Sequence, residues 1–515
     1  MKEGFCDGPF SSQQVTEQLG TDEWIPLRRF GIEQKTKIRG VDDASDNLVN
    51  STSSREEKLE ISSVDRIIAT ARYWETVLPG IRLGAWALDE RKAYRTVPVH
   101  PEQRRFSVVA IVNPNKDNEG IPHPYVEYYI MNGHCFGFTN AVYNYCRRPL
   151  ALRFVLREIF GIMTDDYVDD RWGIEPRDTI ESSYRTTVNV TRLLGIQTQD
   201  DKAQGPPETI DMNSDDAKEP WTRPELLGVI IDLDRHEAQI KPKRRELLLG
   251  EINAILEPSC RKLSPGQASK LRGKLQFTTS TLFGRTGRAY MRALAERQYE
   301  NAKRGLAINE AIEEALRGWL HILENGRPRP IPDRPGGPAD AVLFTDGSSE
   351  RDVKTIGGVF FAWWREAPSA FSSSVTKRIV DHWIPRKSDI TMVELLAVVL
   401  AVYHYGPEVL GKRVIILIDS QAALDALIKG YSRKDDTCHL ITVFWTLVHD
   451  HNITVYLDRV STDANISDGV SRSKVKEAIA LGWEIEHPDI EEVAGTDSAF
   501  GREKARVKRR PVAGR

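Results

Sequence analysis

The sequence predicts an α/β chain, α+β in its arrangement and divided into several domains. Three observations carry that prediction. At 515 residues the chain exceeds what one ordinary hydrophobic core organises, so two to four domains are expected. Short apolar runs that read as strands and end in an acid alternate with segments of helical period. Residues 325–338 (Asn-Gly-Arg-Pro-Arg-Pro-Ile-Pro-Asp-Arg-Pro-Gly-Gly-Pro) are dense in proline and glycine and read as an extended, semi-rigid linker. A hydrophobic share of 40% and a charged share of 28% are those of a globular protein. Cys6, Cys135, Cys146, Cys260 and Cys438 are scattered, odd in number and never spaced CxxC. That pattern argues against a disulfide framework or a zinc site and for a reducing compartment, nuclear or cytoplasmic. No apolar run approaches the ~20 residues of a membrane span, and the N-terminus lacks a basic-then-apolar signal pattern, so no membrane partner is expected.

Net charge is −3, which by itself predicts no nucleic-acid partner. The distribution says more: residues 241–330 hold 18 Lys/Arg against 9 Asp/Glu, and residues 196–220 hold 2 Lys against 7 Asp/Glu. The basic block is either a set of solvated helix faces or the footprint of a phosphate backbone.

Residues 28–43 alternate and are basic, as a β-hairpin would be. Lys37 and Arg39 on it are either plainly exposed or able to close over a triphosphate. Residues 44–62 are rich in Ser, Asn and Asp and read as loop. A strand ends at Asp89, with Tyr94 five residues on and an apolar run over 106–112. A carboxylate at a strand end can hold a metal at a sheet edge. Residues 136–160 have helical periodicity, which Pro149 is expected to kink or divide. Gly137, beside Phe136, allows a close backbone approach.

Tyr167-Val168-Asp169-Asp170 pairs two β-formers with two acids. At a hairpin tip both acids can reach forward, and with Asp89 they make three carboxylates around two cations. Magnesium takes oxygen ligands and leaves room for phosphates. Two such ions about 4 Å apart can activate a 3′-hydroxyl and stabilise a leaving pyrophosphate. Asp165 and Asp166 lie just before, and Arg171-Trp172 just after. The extra acids are expected to raise carboxylate pKa values or to misplace a cation.

Residues 196–224 form an acidic insertion that contains Lys202, and residues 226–231 read as a strand. Ser264-Pro265 starts a helix with an N-cap and a first-turn proline. Within it Gly273, beside Lys274 and before Phe277, costs about 1 kcal/mol against alanine. Its reason is either close approach of a partner or helix–helix packing. Arg285, Arg288 and Arg292 follow at helical spacing and extend the basic track.

Beyond the linker a second acidic set appears. Residues 341–346 form a strand that ends in Asp346, Glu394 sits on the helix 393–403, and residues 414–419 form a strand that ends in Asp419. Asp468 completes the set. Four clustered carboxylates repel one another unless cations hold them. The alternative is a set of strand-end acids that face solvent. Residues 475–500 are acidic and 502–515 basic, the latter either a solvated tail or a nucleic-acid-binding or nuclear-localisation arm.

Taken in order, Asp89, the Phe136-Gly137 helix start and Tyr167-Val168-Asp169-Asp170 resemble the palm of a reverse transcriptase. Leu271-Arg272-Gly273-Lys274-Leu275-Gln276-Phe277 resembles its thumb. The set Asp346, Glu394, Asp419 and Asp468 resembles ribonuclease H, and Asn465-x-x-Asp468-x-x-Ser471-Arg472 is most similar to gypsy- and DIRS-type retrotransposons. The resemblance implies a right-hand polymerase (fingers, palm and thumb) followed by a ribonuclease H-like mixed β-sheet domain flanked by helices. The expected boundaries are 1–240 for fingers and palm, 241–324 for thumb and connection, 325–340 for the linker, 341–475 for ribonuclease H and 476–515 for a disordered tail.

The implied activity is RNA-directed DNA polymerisation from dNTPs on a DNA primer and RNA template, with cleavage of the RNA strand of RNA–DNA hybrids. Two Mg²⁺ (or Mn²⁺) ions per site are implied, at Asp89, Asp169 and Asp170 and at Asp346, Glu394, Asp419 and Asp468. Lys37, Arg39, Tyr94, Phe136, Gly137 and Lys202 would meet the nucleotide, with Tyr94 against a ribose 2′-hydroxyl and Lys202 protonating the leaving group. Gly273, Lys274, Phe277, Arg285 and Arg288 would meet the duplex. The acids before Asp169 depart from the family pattern, as does the lack of a histidine in residues 460–464. Two other readings stay open: a decayed protein that binds hybrids without polymerising, and a ribonuclease H-only nuclease.

Overall fold

The computed structural model describes residues 3–34, 37–54, 56–113, 125–206, 221–300, 306–331, 338–350 and 353–494. The chain divides into two compact units, Met1–His236 and Glu237–Arg515.

The first unit holds two sheets. Strands β1 (Cys6–Phe10), β2 (Pro26–Gln34), β3 (Lys37–Asp43), β5 (Val108–Asn113) and β6 (Tyr125–Met131) form one, in the order β1-β6-β5-β2-β3. The basic alternating stretch is the antiparallel hairpin β2–β3, with Arg28 opposite Asp43. The second sheet is β4-β8-β7, antiparallel throughout, from β4 (Leu83–Asp89), β7 (Thr164–Tyr167) and β8 (Asp170–Pro176). Helices α2 (Val64–Val77), α3 (Thr139–Glu158) and α4 (Arg177–Leu193) pack on it, while α1 (Ser12–Leu19) packs on β1 and β6.

Trp86, Leu88, Leu152, Leu156, Ile180 and Trp221 make the core behind the acids. Removing each such side chain from water is worth roughly 1.5–3 kcal/mol. Gly173 is required by this packing, because a Cβ there would lie 2.4 Å from the Trp86 ring.

Of the two outcomes expected at Pro149, division does not occur, since α3 runs through it as one helix. One expectation fails here. Residues 226–231 are a hairpin rather than one strand. β9 (Glu225–Leu226) turns into β10 (Val229–Asp232) through Leu227 and Gly228, both at positive φ.

In the second unit β11 (Glu237–Ile240) pairs with β12 (Arg329–Pro330), so part of the expected linker is a strand. Ile331 is buried and Arg329 donates to the Ser280 carbonyl at 2.9 Å. Between these strands run α5 (Pro242–Leu256), α6 (Pro265–Thr278), α7 (Met291–Gln298) and α8 (Glu310–Asn325), around Leu248, Leu271, Leu275, Leu316 and Trp319. Ser264 caps α6 in a reciprocal capping box with Gln267. Residues 284–290 are turns, so Arg285 and Arg288 are not at helical spacing.

The rest of this unit is a six-stranded mixed sheet in the order β17-β16-β13-β14-β15-β18. Its strands are β13 (Ala341–Glu350), β14 (Val353–Ala362), β15 (Ser369–Ser374), β16 (Arg413–Ile418), β17 (Thr454–Arg459) and β18 (Glu484–Glu486). β13–β14 and β14–β15 are antiparallel, whereas β13–β16, β16–β17 and β15–β18 are parallel. Helices α9 (Lys377–Val380), α10 (Ile390–Tyr405), α11 (Gln421–Lys429), α12 (Asp435–Asp450), α13 (Asp468–Ser471), α14 (Val475–Ala480) and α15 (Ile490–Ala494) complete it. α10 is apolar all round and buried on nearly every face, as a core helix is. The stretch Ile390–Val409 is long and apolar enough to cross a membrane by length and composition, but 72% of its apolar window is buried inside the unit.

Residues 476–494 correct the expectation of a disordered tail from 476 onward. β18 extends the sheet edge and α14 and α15 flank it, while residues 495–515 lie outside the described residues.

Candidate active sites

The first acidic site grows from the sheet edge of the first unit. Asp89 ends β4 and Asp170 begins β8, and the two are cross-strand partners. Tyr167 pairs with Asp170, so Val168 and Asp169 alone make the turn. Val168 takes φ +58°, a left-handed conformation costly for a β-branched residue. A two-residue hairpin turn requires such a conformation, and Val168 packs against Ala93, Tyr145 and Cys146 while adopting it. The Glu90 amide donates to the Asp169 carbonyl at 3.0 Å and fixes the turn against β4.

Burial raises the pKa of Asp169, with Asp89 adding to it. Asp170 is pushed up to about 6 by burial and then by Asp169 and Asp89. Oδ1 of Asp89 is buried without a hydrogen-bond partner, which suits a cation. Its Oδ2 accepts from Lys202 Nζ at 2.5 Å. Lys202 arrives because residues 197–204 pair with the β4 segment through bridges at Glu90–Thr198 and Ala87–Gln204. Its ammonium pKa is raised, chiefly by that hydrogen bond.

Tyr94 lies on the short 3₁₀ turn Ala93–Thr96, half-buried and edge-on to Phe136 and to Tyr145, at 5.4 Å in each case. Burial raises its hydroxyl pKa, and Asp169 adds to the shift. The Arg39 guanidinium lies 4.6 Å from the Phe136 ring centroid. Gly137 has φ +116°, and a Cβ on it would lie 1.9 Å from the Asp42 carbonyl oxygen. Lys37 is in β3, and its side chain lies outside the described residues.

The acids expected to disturb this site are neutralised by arginines. Asp165 is held by Arg153 and by Arg66 at 3.0 Å, and Asp166 by Arg171 at 2.8 Å. Burial pushes the Asp165 carboxyl up, but the Asp166 amide and then Arg66 and Arg153 hold it below its ordinary value. Asp166 is raised to about 6 by burial, against the pull of Arg171 and Arg153. Arg171 and Trp172, the residues after Asp170, are buried, and Trp172 Nε1 donates to Ser62 at 3.2 Å. Sequence reasoning missed Glu90, which is buried beside Asp89 and accepts from Tyr145 at 2.7 Å and Arg148 at 2.6 Å.

The second site belongs to the mixed sheet. Asp346 on β13, Glu394 on α10 and Asp419 just after β16 offer oxygens that all lie within 4.8 Å of one another. Among the described residues no other three acid, histidine or cysteine side chains gather so closely. Gly347 makes this approach possible, since a Cβ there would be 2.8 Å from the Glu394 amide nitrogen.

Burial pushes the Glu394 carboxyl up to about 9, with Asp419 and Asp346 adding to the shift. Asp346 is raised to about 6 by burial, opposed by its hydrogen bond from Ser471 and reinforced by Asp419 and Asp468. Oε2 of Glu394 and Oδ1 of Asp419 are buried without hydrogen-bond partners. Orphaned carboxylate oxygens in a converging set are the donor chemistry that Mg²⁺ or Mn²⁺ requires. Asp468 opens α13 at the margin and is held by Arg472 at 2.8 Å.

The predicted duplex contacts divide. On α6, Gly273 and Lys274 are exposed, and a Cβ on Gly273 would meet nothing within 4 Å, so helix packing is not its reason. Lys274 is paired with Glu251 at 2.5 Å. The Phe277 ring is covered by Arg244, 3.9 Å from its centroid, a residue of α5 that sequence reasoning missed. Arg285 and Arg288 serve another contact: Arg285 Nε donates to the Ile428 carbonyl at 2.8 Å, and Arg288 lies over Tyr431 at 5.5 Å.

Fold and sites together define a mixed α/β chain of two units, one with acids at the ends of paired strands and the other with acids gathered from two strands and a helix. No protein-family model matches the sequence, and no curated protein is similar to it. Among solved structures the chain is similar to a foamy viral protease-reverse transcriptase in complex with double-stranded DNA, at 14% identity and a TM-score of 0.43. That likeness covers 84% of this chain and 65% of the viral one, so the chain spans less than two thirds of its length.

Proposed function

We propose that the chain is an RNA-directed DNA polymerase of a retroelement that also has ribonuclease H activity. The observation that carries this reading is the meeting of Asp89 with Asp169 and Asp170 on one sheet edge, with Tyr94 and Lys202 beside them. Asp89, Asp169 and Asp170 would hold two Mg²⁺ or Mn²⁺ ions, as would Asp346, Glu394, Asp419 and Asp468. Bound cations would supply Lewis-acid stabilisation of charge on phosphoryl oxygens and a lowered pKa for the attacking hydroxyl or water.

The chain's own residues do the rest. Arg39 approaches the triphosphate from the β2–β3 hairpin, with Lys37 on the same hairpin. Phe136 and Gly137 bound the nucleotide, and Tyr94 limits the sugar. Lys202 is placed to release Asp89 and give a proton to the leaving pyrophosphate. Gly273, Phe277 and Lys274 present α6 to the template–primer duplex. In the second unit the carboxylates orient a water toward the RNA strand of a hybrid.

A nuclease-only reading is favoured by one contrast: Lys202 occupies Asp89, whereas the second set is compact and, among the described residues, Glu394 Oε2 and Asp419 Oδ1 have no hydrogen-bond partner. Primer extension with a DNA primer, an RNA template and Mg²⁺, each strand labelled separately, decides between them. Extension lost only in Asp169→Asn, with RNA cleavage lost only in Asp419→Asn, is expected. Cleavage without extension in the unmodified chain leaves a nuclease.

A further inference from the structure

Tyr94 is held by a clamp that no part of the reaction above requires. Helix α3 presents Tyr145 and Arg148 one turn apart, on one face. Tyr145 is fully buried, meets Tyr94 edge-on at 87°, and donates its hydroxyl to Glu90 at 2.7 Å. Arg148 reaches both ends of the segment that carries Tyr94. Its Nη2 donates to Glu90 at 2.6 Å and its Nη1 to Thr96 Oγ1 at 2.9 Å. The Thr96 hydroxyl in turn donates to the Ala93 carbonyl at 2.6 Å, closing the turn. Phe136 also meets Tyr94 edge-on, at 5.4 Å, and its ring lies 4.6 Å from Arg39 and 5.3 Å from Arg95.

A pocket wall that merely lacks room for one extra hydroxyl discriminates weakly, by about a hundredfold. Even that requires a wall that does not yield, because contact repulsion rises over tenths of an ångström and a yielding ring relieves it. A tyrosine on a four-residue 3₁₀ turn is not rigid by itself. The Arg148 bridge and the Tyr145 edge supply the rigidity.

We propose that Thr96, Arg148 and Tyr145 are positioning residues that fix the Tyr94 ring and so set how strongly the site rejects ribonucleoside triphosphates. This inference rests on the polymerase reading and deepens it. Thr96 is exposed, so Thr96→Val severs the bridge at its outer end without opening a core. Thr96→Ser keeps the hydroxyl, and Tyr145→Phe keeps the ring while losing the bond to Glu90.

The test is single-nucleotide extension by the full chain, with kcat and KM measured for a dNTP and the matching rNTP. Thr96→Val and Tyr145→Phe are expected to lower the preference for dNTP by about tenfold, through a fall in KM for the rNTP. Their kcat for dNTP should stay within about twofold of the unmodified chain, and Thr96→Ser should restore the preference. Extension with unchanged preference in both variants overturns the clamp and leaves the polymerase. An equal loss for both nucleotides also overturns it, since a merely structural role predicts that. If the unmodified chain extends no primer with dNTP, the polymerase reading falls first and the clamp with it.

Discussion

The two acidic sites are both built from carboxylates and differ in what balances their charge. At the first, protein cations do much of it: Lys202 lies on Asp89, and Arg66, Arg153 and Arg171 hold the neighbouring Asp165 and Asp166. At the second, Asp346 has a hydroxyl and Asp468 an arginine, while Glu394 and Asp419 keep buried oxygens without partners. Uncompensated buried carboxylates either stay protonated or wait for a cation. The second site therefore should bind divalent ions in the free protein. The first should bind them well only when a nucleotide brings its own phosphates and Lys202 moves off Asp89.

The largest effect expected is chemical. Asp419→Asn should lower hybrid cleavage by about a thousandfold or more, and Asp169→Asn should do the same to extension, each sparing the other activity. A single substitution that abolished both would break the separation of the sites.

Next comes Lys202→Met, which probes what the ammonium does at Asp89. As a proton donor to the leaving group its loss should slow extension by about 10- to 100-fold. Stability should change by less than about 1 kcal/mol, because Lys202 is half exposed. Faster extension in this variant would mean that Lys202 blocks the first site and is not the proton donor.

A third effect appears in the metal-free protein as a dependence on pH. Asp346 and Glu394 have folded pKa values raised to about 6 and about 9. The folded state thus binds more protons than the unfolded chain above the ordinary carboxylate range, and stability must fall as pH rises through that window. Melting of the second unit should drop by several degrees between pH 6 and pH 9, and Mn²⁺ should restore more of it at the higher pH. Asp419→Asn should flatten both trends. A melting temperature indifferent to Mn²⁺ at pH 9 would remove the case for a cation at Glu394.

Much of this arrangement was legible in the sequence where local rules apply. The strand that ends in Asp89, the strand that stops just before Asp419, the capped start of α6 and the basic hairpin follow from period, capping and alternation. What failed to show is non-local. Nothing near Asp165 announces Arg66, whose guanidinium comes from 99 positions away. Lys202 reaches Asp89 across 113 positions through two isolated bridges. The arginines after α6 keep a helical spacing that the turns of 284–290 override, because Arg285 and Arg288 are taken up at Ile428 and Tyr431. Acidic composition after 475 concealed a short strand, since three residues beside β15 suffice to extend a sheet.

The smallest effect isolates burial from both metal and neighbouring charge. Glu175 on β8 is buried and accepts a hydrogen bond from the Met163 amide at 2.7 Å. Desolvation raises its carboxyl to about 7, with no charged neighbour adding to the shift. The cost of ionising it grows as pH rises from the ordinary glutamate range to about 7 and is constant above. Glutamine keeps the oxygen that the Met163 amide needs and never ionises. Glu175→Gln should therefore stabilise the first unit by about 1–3 kcal/mol at pH 8, and by much less at pH 5. Divalent ions should leave that difference unchanged, in contrast to their effect at Glu394. Denaturant titrations at the two pH values check this. An equal gain at both would show that packing rather than charge is responsible, and would weaken the argument that burial raises the acids of the two sites.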